Sequence, residues 1–317
     1  MNTATESNAM LAMVFPGQGS QTVGMLSDLA ESSSQVGEAF DEAGAVLGYD
    51  LWQLVQHGPA DVLNQTGNTQ PAMLAAGVAV WRAWLARGGA QPAVMAGHSL
   101  GEYTALVCAG ALQFGDAIAL VAERGRCMQS AVPEGIGAMA AILGLDDAAV
   151  AGVCETAAAG EVVSPVNYNS PGQVVIAGHA AAVERATALA KEAGAKRAVL
   201  LPVSVPSHCS LMTSAAAEFA TRLAQVNISS PQIPVLQNVD ALAHADPVTI
   251  RENLGKQLYS PVQWVRSVQA MGTQGVTRII EAGPGKVLAG LCKRIDKSID
   301  AVAVHDTASL DSALSES

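Results

Sequence analysis

The sequence predicts an α/β protein, a parallel sheet covered by helices and interrupted by a smaller β-α-β-β-α-β unit. Three observations carry this expectation. Short apolar runs at 11–15 and 94–97 stop at glycine-rich turns and alternate with helical stretches, as buried parallel strands do. The centre of the chain, 132–200, follows a different order of elements. Half of the 317 residues are hydrophobic and only 14% are charged, enough apolar material for a sizeable core.

Each element follows in turn. Residues 1–10 are polar, lack basic residues before an apolar stretch, and are expected to be a disordered extension rather than a signal peptide. Leu11 to Phe15 is apolar throughout and halts at Pro16-Gly17, a buried strand feeding a glycine-rich loop. Residues 71–87 are apolar on every side, carry Trp81 and Trp84 three apart, and end at Gly88-Gly89, which gives a buried helix. Val94 to Gly97 is a second strand, and Glu102 to Cys108 a helix, with a sharp turn at Ser99 between them. In the centre, a strand at 137–143 precedes a helix from Asp146 to Ala159 and a strand from Glu161 to Tyr168. Asn169-Ser170-Pro171-Gly172 is a strong turn signal. A strand from Gln173 to Ala177, a helix from Ala180 to Ala193 closed by Gly194, and a strand from Arg197 to Val203 complete the unit. That order is ferredoxin-like. From 201 onwards strands and helices alternate again, as at Arg278 to Glu281 followed by Gly283-Pro284-Gly285 and a helix. The expected division is a discontinuous catalytic domain, 11–131 with 201–317, and an inserted subdomain, 132–200.

Composition excludes several classes. The formal net charge is −11, with no basic stripe of the kind nucleic-acid binding leaves. Basic residues gather only at Lys191, Lys196 and Arg197, and at Lys286, Lys293 and Arg294. No apolar run reaches the ~18 residues of a membrane span. Five cysteines (Cys108, Cys127, Cys154, Cys209 and Cys292) are odd in number and widely spaced, which argues against a disulfide framework or a zinc site and for reduced thiols in the cytoplasm. Gly283-Pro284-Gly285-Lys286 lacks the spacing of a phosphate-binding loop.

Gly97-His98-Ser99-Leu100-Gly101, between a strand and a helix, is a nucleophile-elbow pattern. The glycines two before and two after the serine remove side chains that would clash in a tight turn. The following helix aims free N–H groups at the site, where they can stabilise an oxyanion. A serine nucleophile needs a base. Of the six histidines (His57, His98, His179, His208, His244 and His305), His98 is expected to pack against or cap the turn, since neighbours on a tight turn point apart. His179 falls at a turn of the smaller unit. His208, in Val205-Pro206-Ser207-His208-Cys209, lies in a loop after a strand, where catalytic groups are commonly placed, and is the preferred base. His244, flanked by Asp240 and Asp246, stays open as the alternative, and with it an ordinary serine hydrolase.

Seven runs, in order and spread over 11–295, resemble malonyl-CoA:acyl-carrier-protein transacylases of the discrete bacterial type. They are Phe15-Pro16-Gly17-Gln18-Gly19-Ser20-Gln21, Gly97-His98-Ser99-Leu100-Gly101-Glu102, Arg124-Gly125-Arg126-Cys127-Met128, Val166-Asn167-Tyr168-Asn169-Ser170-Pro171-Gly172-Gln173, Pro206-Ser207-His208-Cys209, Gln257-Leu258-Tyr259-Ser260-Pro261-Val262 and Glu281-Ala282-Gly283-Pro284-Gly285-Lys286. The resemblance implies an α/β-hydrolase-like core interrupted by a ferredoxin-like subdomain. It implies Ser99 as nucleophile, His208 as base, and Gln257 orienting that base through a carbonyl oxygen. The N–H groups of Gln18 and Leu100 would form the oxyanion hole, and Arg124 would bind the malonyl carboxylate. Asn167 and Met128 would touch substrate, with Asn169 either lining the cleft or serving only its turn. Arg124 lies in an otherwise apolar helical stretch and must be paired, either by the substrate or by Glu102 or Glu123.

The implied reaction transfers malonyl from malonyl-CoA to the phosphopantetheine thiol of acyl carrier protein for fatty-acid synthesis, by way of a malonyl-serine ester. The alternative is a serine thioesterase or hydrolase. No cofactor and no metal are implied, and a cytoplasmic monomer is expected. Carrier proteins are acidic, so docking is expected on Lys286, Lys293 and Arg294, with Lys196 and Arg197 as the second choice.

Overall fold

The computed structural model describes residues 10–133, 135–203 and 205–316. Strand β1 (Met10–Phe15) opens the chain, followed by short helices α1 (Ser27–Ser32), α2 (Ser34–Leu47), α3 (Leu51–His57) and α4 (Ala60–Leu63). Then come α5 (Thr66–Ala86), β2 (Val94–Gly97), α6 (Gly101–Cys108) and α7 (Phe114–Ser130). The smaller unit contributes β3 (Gly137–Leu143), α8 (Asp147–Ala158), β4 (Val163–Ser170), β5 (Gln173–His179), α9 (Ala180–Glu192) and β6 (Arg197–Leu200). The chain closes with α10 (Thr213–Leu223), β7 (Val235–Leu236), α11 (Pro247–Gln257), α12 (Trp264–Thr273), β8 (Val276–Ala282), α13 (Val287–Ile295), β9 (Asp300–Val304) and α14 (Thr307–Ser315).

The fold class is the expected one, mixed α/β with a parallel and an antiparallel sheet. Strands order as β7-β2-β1-β8-β9 in the first sheet, and every pairing is parallel. Its central strand is buried on both faces, which is why 11–15 is apolar without interruption. Successive side chains alternate faces. Leu11, Met13 and Phe15 enter a core with α5 and α7, while Ala12 and Val14 enter another with Trp264, Val268 and Leu288. The second sheet orders as β4-β5-β3-β6, all antiparallel. Its Ala140, Ile142, Val174 and Ile176 pack under α8 and α9. The opposite face, with Met139 and Val175, turns towards Cys209 in the loop before α10.

Several boundaries differ from expectation. Met10 already belongs to β1, and the rest of the expected N-terminal extension, 1–9, lies outside the described residues. Helix α5 starts at Thr66, one and a half turns before the expected start at 71. Proline favours a helix's first turn, so Pro71 looks like a beginning. Here Asn68 and Thr69 donate to the Gln65 carbonyl and the turn ahead of Pro71 is held by buried Thr66, Thr69 and Gln70. Asn169 and Ser170 are strand residues, because β4 pairs up to Ser170 and only Pro171-Gly172 form the turn. Strand β6 stops at Leu200, opposite Ala140, and beyond it the Leu201 N–H still donates to the Met139 carbonyl of β3 at 2.9 Å. All five cysteines are free thiols. Among the described residues, no helix is long and apolar enough to cross a membrane.

Candidate active site

The site begins at the turn between β2 and α6. Ser99 has φ 51°, the left-handed region that side chains other than glycine rarely adopt. The turn is tight enough that a Cβ at Gly97 would lie 1.9 Å from the Gly101 carbonyl carbon, and one at Gly101 would lie 2.0 Å from the Phe15 oxygen. Only glycine fits either place. Strand β2, turn and helix therefore lift the Ser99 hydroxyl above the carboxyl end of the parallel sheet.

His208 comes to it from the loop before α10, also with a positive φ, 66°. Its Nε2 lies 2.8 Å from Ser99 Oγ. Its Nδ1 lies 2.7 Å from the Gln257 main-chain carbonyl. A carbonyl only accepts, so Nδ1 carries the hydrogen and the Nε2 lone pair faces the serine. Burial, and then the positive charge of Arg124, push the imidazole pKa down to about 3. The ring is therefore neutral near pH 7, as a general base must be. Among the described residues no carboxylate backs the histidine. The Asp240–His244 pair does form, at 2.8 Å, but it is His208 that reaches the serine.

Arg124 projects from α7 and is 1% exposed. Its Nη1 donates to Gln70 Oε1 at 2.9 Å, and its Nη2 to Gln257 Oε1 at 2.9 Å and to Ser99 Oγ at 3.2 Å. The guanidinium also sits over the Tyr103 ring, 5.3 Å from its centroid. Neither carboxylate named as a partner touches it. Glu123 pairs with Arg126, and Glu102 is one amide away, accepting from Gln257 Nε2 at 2.8 Å. A buried cation held by neutral acceptors is a poor resting arrangement, and burial lowers the Arg124 pKa.

Gln18, His98, Ser99, Leu100, Arg124, Met128, Asn167 and His208 line one cleft of about 240 Å³, which Met139 of the antiparallel sheet helps to close. Gly17 brings the Gln18 loop against the elbow, since a Cβ there would lie 2.5 Å from the His98 oxygen. Leu100 N-caps α6, where amides have no partner within the helix. Asn167 Oδ1 is buried without a hydrogen-bond partner. The sequence expectation for His98 is corrected. Rather than capping the turn, its ring lies in the cleft, bonds Asn169 Oδ1 at 2.8 Å and meets Trp264 at a centroid distance of 5.8 Å. Asn169 is a buried residue of β4 outside the cleft lining, and through His98 it ties the second sheet to the elbow. Lys286, Lys293 and Arg294 lie exposed on and beside α13, outside the cleft lining, and Arg294 reaches Gln173 at 2.8 Å.

Two residues of the site, Gln70 and Asn238, were not picked out from sequence, and Glu102 was weighed only as an ion-pair partner of Arg124. Gln70 holds Arg124, Asn238 holds the elbow, and Glu102 accepts from Gln237, Asn238 and Gln257. Glu102 is wholly buried, so its pKa is raised by desolvation, while its three N–H donors and Arg124 oppose that shift.

Comparison with known proteins finds relatives over nearly the whole chain. The family described as acyl transferase domain matches residues 12–310. The malonyl CoA-acyl carrier protein transacylase of Escherichia coli (strain K12) is 60% identical over 303 residues, covering 96% of this chain and 98% of that protein. The crystal structure of an acyl carrier protein S-malonyltransferase from Vibrio cholerae superposes with a TM-score of 0.94 at 63% identity, covering 96% of this chain and 99% of that one. A malonyl-transacylase solved in complex with its type II PKS acyl-carrier protein superposes with a TM-score of 0.96 at 55% identity, over 98% of this chain and all of that one.

Proposed function

The chain belongs to the acyl transferase domain family, and we propose on that premise that it moves malonyl from malonyl-CoA to the phosphopantetheine thiol of acyl carrier protein. The observation that carries this reading is the meeting of His208 Nε2 and Arg124 Nη2 on one serine oxygen, at 2.8 and 3.2 Å. A base and an anion-binding group converge on the nucleophile, which suits an acyl group that ends in a carboxylate.

The cycle has two halves. In the first, His208 takes the Ser99 proton as Oγ attacks the thioester carbonyl. The backbone N–H groups of Gln18 and Leu100 hold the tetrahedral oxyanion, each worth roughly 3 kcal/mol. The oxyanion collapses, the C–S bond breaks, and CoA leaves as a thiol with the proton from His208. In the second half, His208 takes the proton of the carrier's thiol, sulfur attacks the malonyl-serine ester, and the Ser99 oxygen leaves and regains its proton. The Gln257 main-chain carbonyl keeps the imidazole in the correct tautomer throughout. Arg124 pairs with the malonyl carboxylate, and Met128 and Asn167 bound the acyl pocket.

CoA enters and leaves as substrate and product, and no cofactor takes part. The protein works in the cytoplasm as a monomer, supplying malonyl units to fatty-acid synthesis, and the acidic carrier docks at Lys286, Lys293 and Arg294. The test is product analysis with malonyl-CoA in the presence and absence of carrier protein. Malonyl-carrier protein is the expected product. Free malonate formed without carrier, at a rate comparable to transfer, would make the enzyme a thioesterase.

A further inference from the structure

Behind the elbow, on the side away from substrate, lies a polar residue the reaction as written does not use. Asn238 follows β7, is 1% exposed, and is not among the cleft-lining residues. Its side chain grips the two successive peptide groups that lead into the nucleophile, one on either side of His98. Oδ1 accepts from the Ser99 N–H at 2.7 Å, and Nδ2 donates to the Gly97 carbonyl at 2.7 Å. The amide orientation is fixed chemically, since an N–H must face the oxygen and a carbonyl the nitrogen. Asn238 is held in turn. Its main-chain N–H donates to Glu102 Oε2 at 2.8 Å, the oxygen that also accepts from Gln257 Nε2 at 2.8 Å. Gln237 Nε2 donates to the other oxygen of Glu102 at 3.0 Å.

We propose that Asn238, anchored by the buried carboxylate of Glu102, is a positioning residue that clamps Ser99 in its left-handed conformation and so aims Oγ between His208 and the thioester. The inference rests on the reading of Ser99 as the acylated nucleophile. A serine at φ 51° persists only where the surroundings fix it. The Gly97 carbonyl and Ser99 N–H belong to the peptides on either side of His98, the second of which must rotate if the Ser99 φ relaxes. Asn238 bonds both, and Gln257 Nε2 donates to the Ser99 carbonyl on the far side at 3.0 Å. Through Glu102 the same anchor holds the Gln257 amide with Oε1 towards Arg124. One carboxylate thus sets the nucleophile, the malonyl-binding guanidinium and the residue carrying the base's carbonyl in a single register.

The test compares Asn238→Ala and Asn238→Asp with the native enzyme, using radiolabelled malonyl-CoA without carrier. Single-turnover acylation gives the rate per labelled site, the label gives the fraction of competent sites, and substrate dependence gives the KM for malonyl-CoA. A nucleophile displaced by a fraction of an ångström to an ångström loses about 10- to 100-fold in rate. The expected result for Asn238→Ala is that loss per labelled site, with KM changed less than about threefold because Arg124 keeps its glutamine partners. Asn238→Asp keeps the acceptor for Ser99 and loses the donor for Gly97, so its rate falls between the two, and it carries the test if the alanine variant does not fold. An unchanged rate per labelled site, with only fewer competent sites or a lower Tm, would make Asn238 merely structural and overturn the proposal. A raised KM at unchanged rate would overturn it too. Ser99→Ala separates this from the premise: a labelled Ser99→Ala protein would refute the nucleophile itself, whatever the Asn238 variants do.

Discussion

Replacing Arg124 by alanine is the perturbation that best probes substrate choice. In the resting site the guanidinium spends its hydrogen bonds on Gln70, Gln257 and Ser99, all neutral, and its Nε has no partner. A malonyl carboxylate would turn a buried unpaired cation into a buried ion pair, whereas an acetyl group offers it nothing. Truncating one partner of a buried, hydrogen-bonded charge pair costs about 2–5 kcal/mol. At 1.4 kcal/mol per factor of ten, that is roughly 30-fold to a few thousand-fold. The alanine variant leaves a hole that water can enter to satisfy Gln70 and Gln257, so the lower half of that range applies, roughly 100-fold in kcat/KM for malonyl-CoA. Acetyl-CoA loses only what the 3.2 Å contact to Ser99 Oγ contributes, less than about tenfold for a single hydrogen bond of ~1 kcal/mol. The preference for malonyl over acetyl should therefore collapse by about tenfold or more. The assay is transfer to carrier protein from malonyl-, methylmalonyl- and acetyl-CoA, each at several concentrations, for both proteins. If malonyl and acetyl transfer fell by the same factor, Arg124 would act only on the nucleophile, and the carboxylate-binding argument would fail.

Other consequences are as direct. Because His208 has a folded pKa of about 3 against an ordinary 6.5, the unfolded chain takes up a proton between those values and the folded one does not. Stability from this group therefore falls as pH drops below about 6.5, by about 2 kcal/mol from pH 7 to pH 5. Urea unfolding at the two pH values should show a loss larger by about that amount in the native protein than in His208→Gln, which keeps the contribution of buried His98, and equal slopes would contradict the burial argument. Gly101→Ala sets a Cβ 2.0 Å from the Phe15 oxygen and should cost about 3 kcal/mol or more, read as a lower denaturation midpoint, and a neutral result would mean the elbow is looser than its geometry. Charge reversal at Lys286, Lys293 and Arg294 should raise the KM for carrier protein while leaving that for malonyl-CoA within about twofold, and an unchanged carrier KM would reject that docking surface.

The reactive part of this site is legible in the sequence because it is local. Gly97, Ser99 and Gly101 are fixed by the sterics of one turn, and the apolar runs around them identify strand and helix. His208 was reachable from its place in a proline-containing loop. Its choice over His244 needed the tertiary fold, since both have carbonyl or carboxylate partners, and only one partnership lies beside Ser99. What supports the site was hidden for a different reason. Gln70 and Asn238 act through contacts separated by 54 and 139 positions, and a lone buried amide leaves no periodic trace. Glu102 was visible, but not its role as acceptor for Asn238, 136 positions away. The nearest signal for Gln70 is a polar residue beside Pro71 in an otherwise apolar helix, and treating that proline as the helix start removed it from view. His98 was misjudged because the rule that neighbours on a turn diverge says nothing about a second sheet approaching from above, and there Asn169 finds it.

The measurement that tests the account most directly follows the acyl group itself. Protein incubated with radiolabelled malonyl-CoA, freed of CoA and digested, should carry one label per chain on the peptide containing Ser99. Adding holo-carrier protein should discharge that label onto the carrier's thiol, while buffer alone should leave it in place. Label absent from Ser99, retained in Ser99→Ala, or released to water as fast as to the carrier would contradict a malonyl-serine ester held for a thiol.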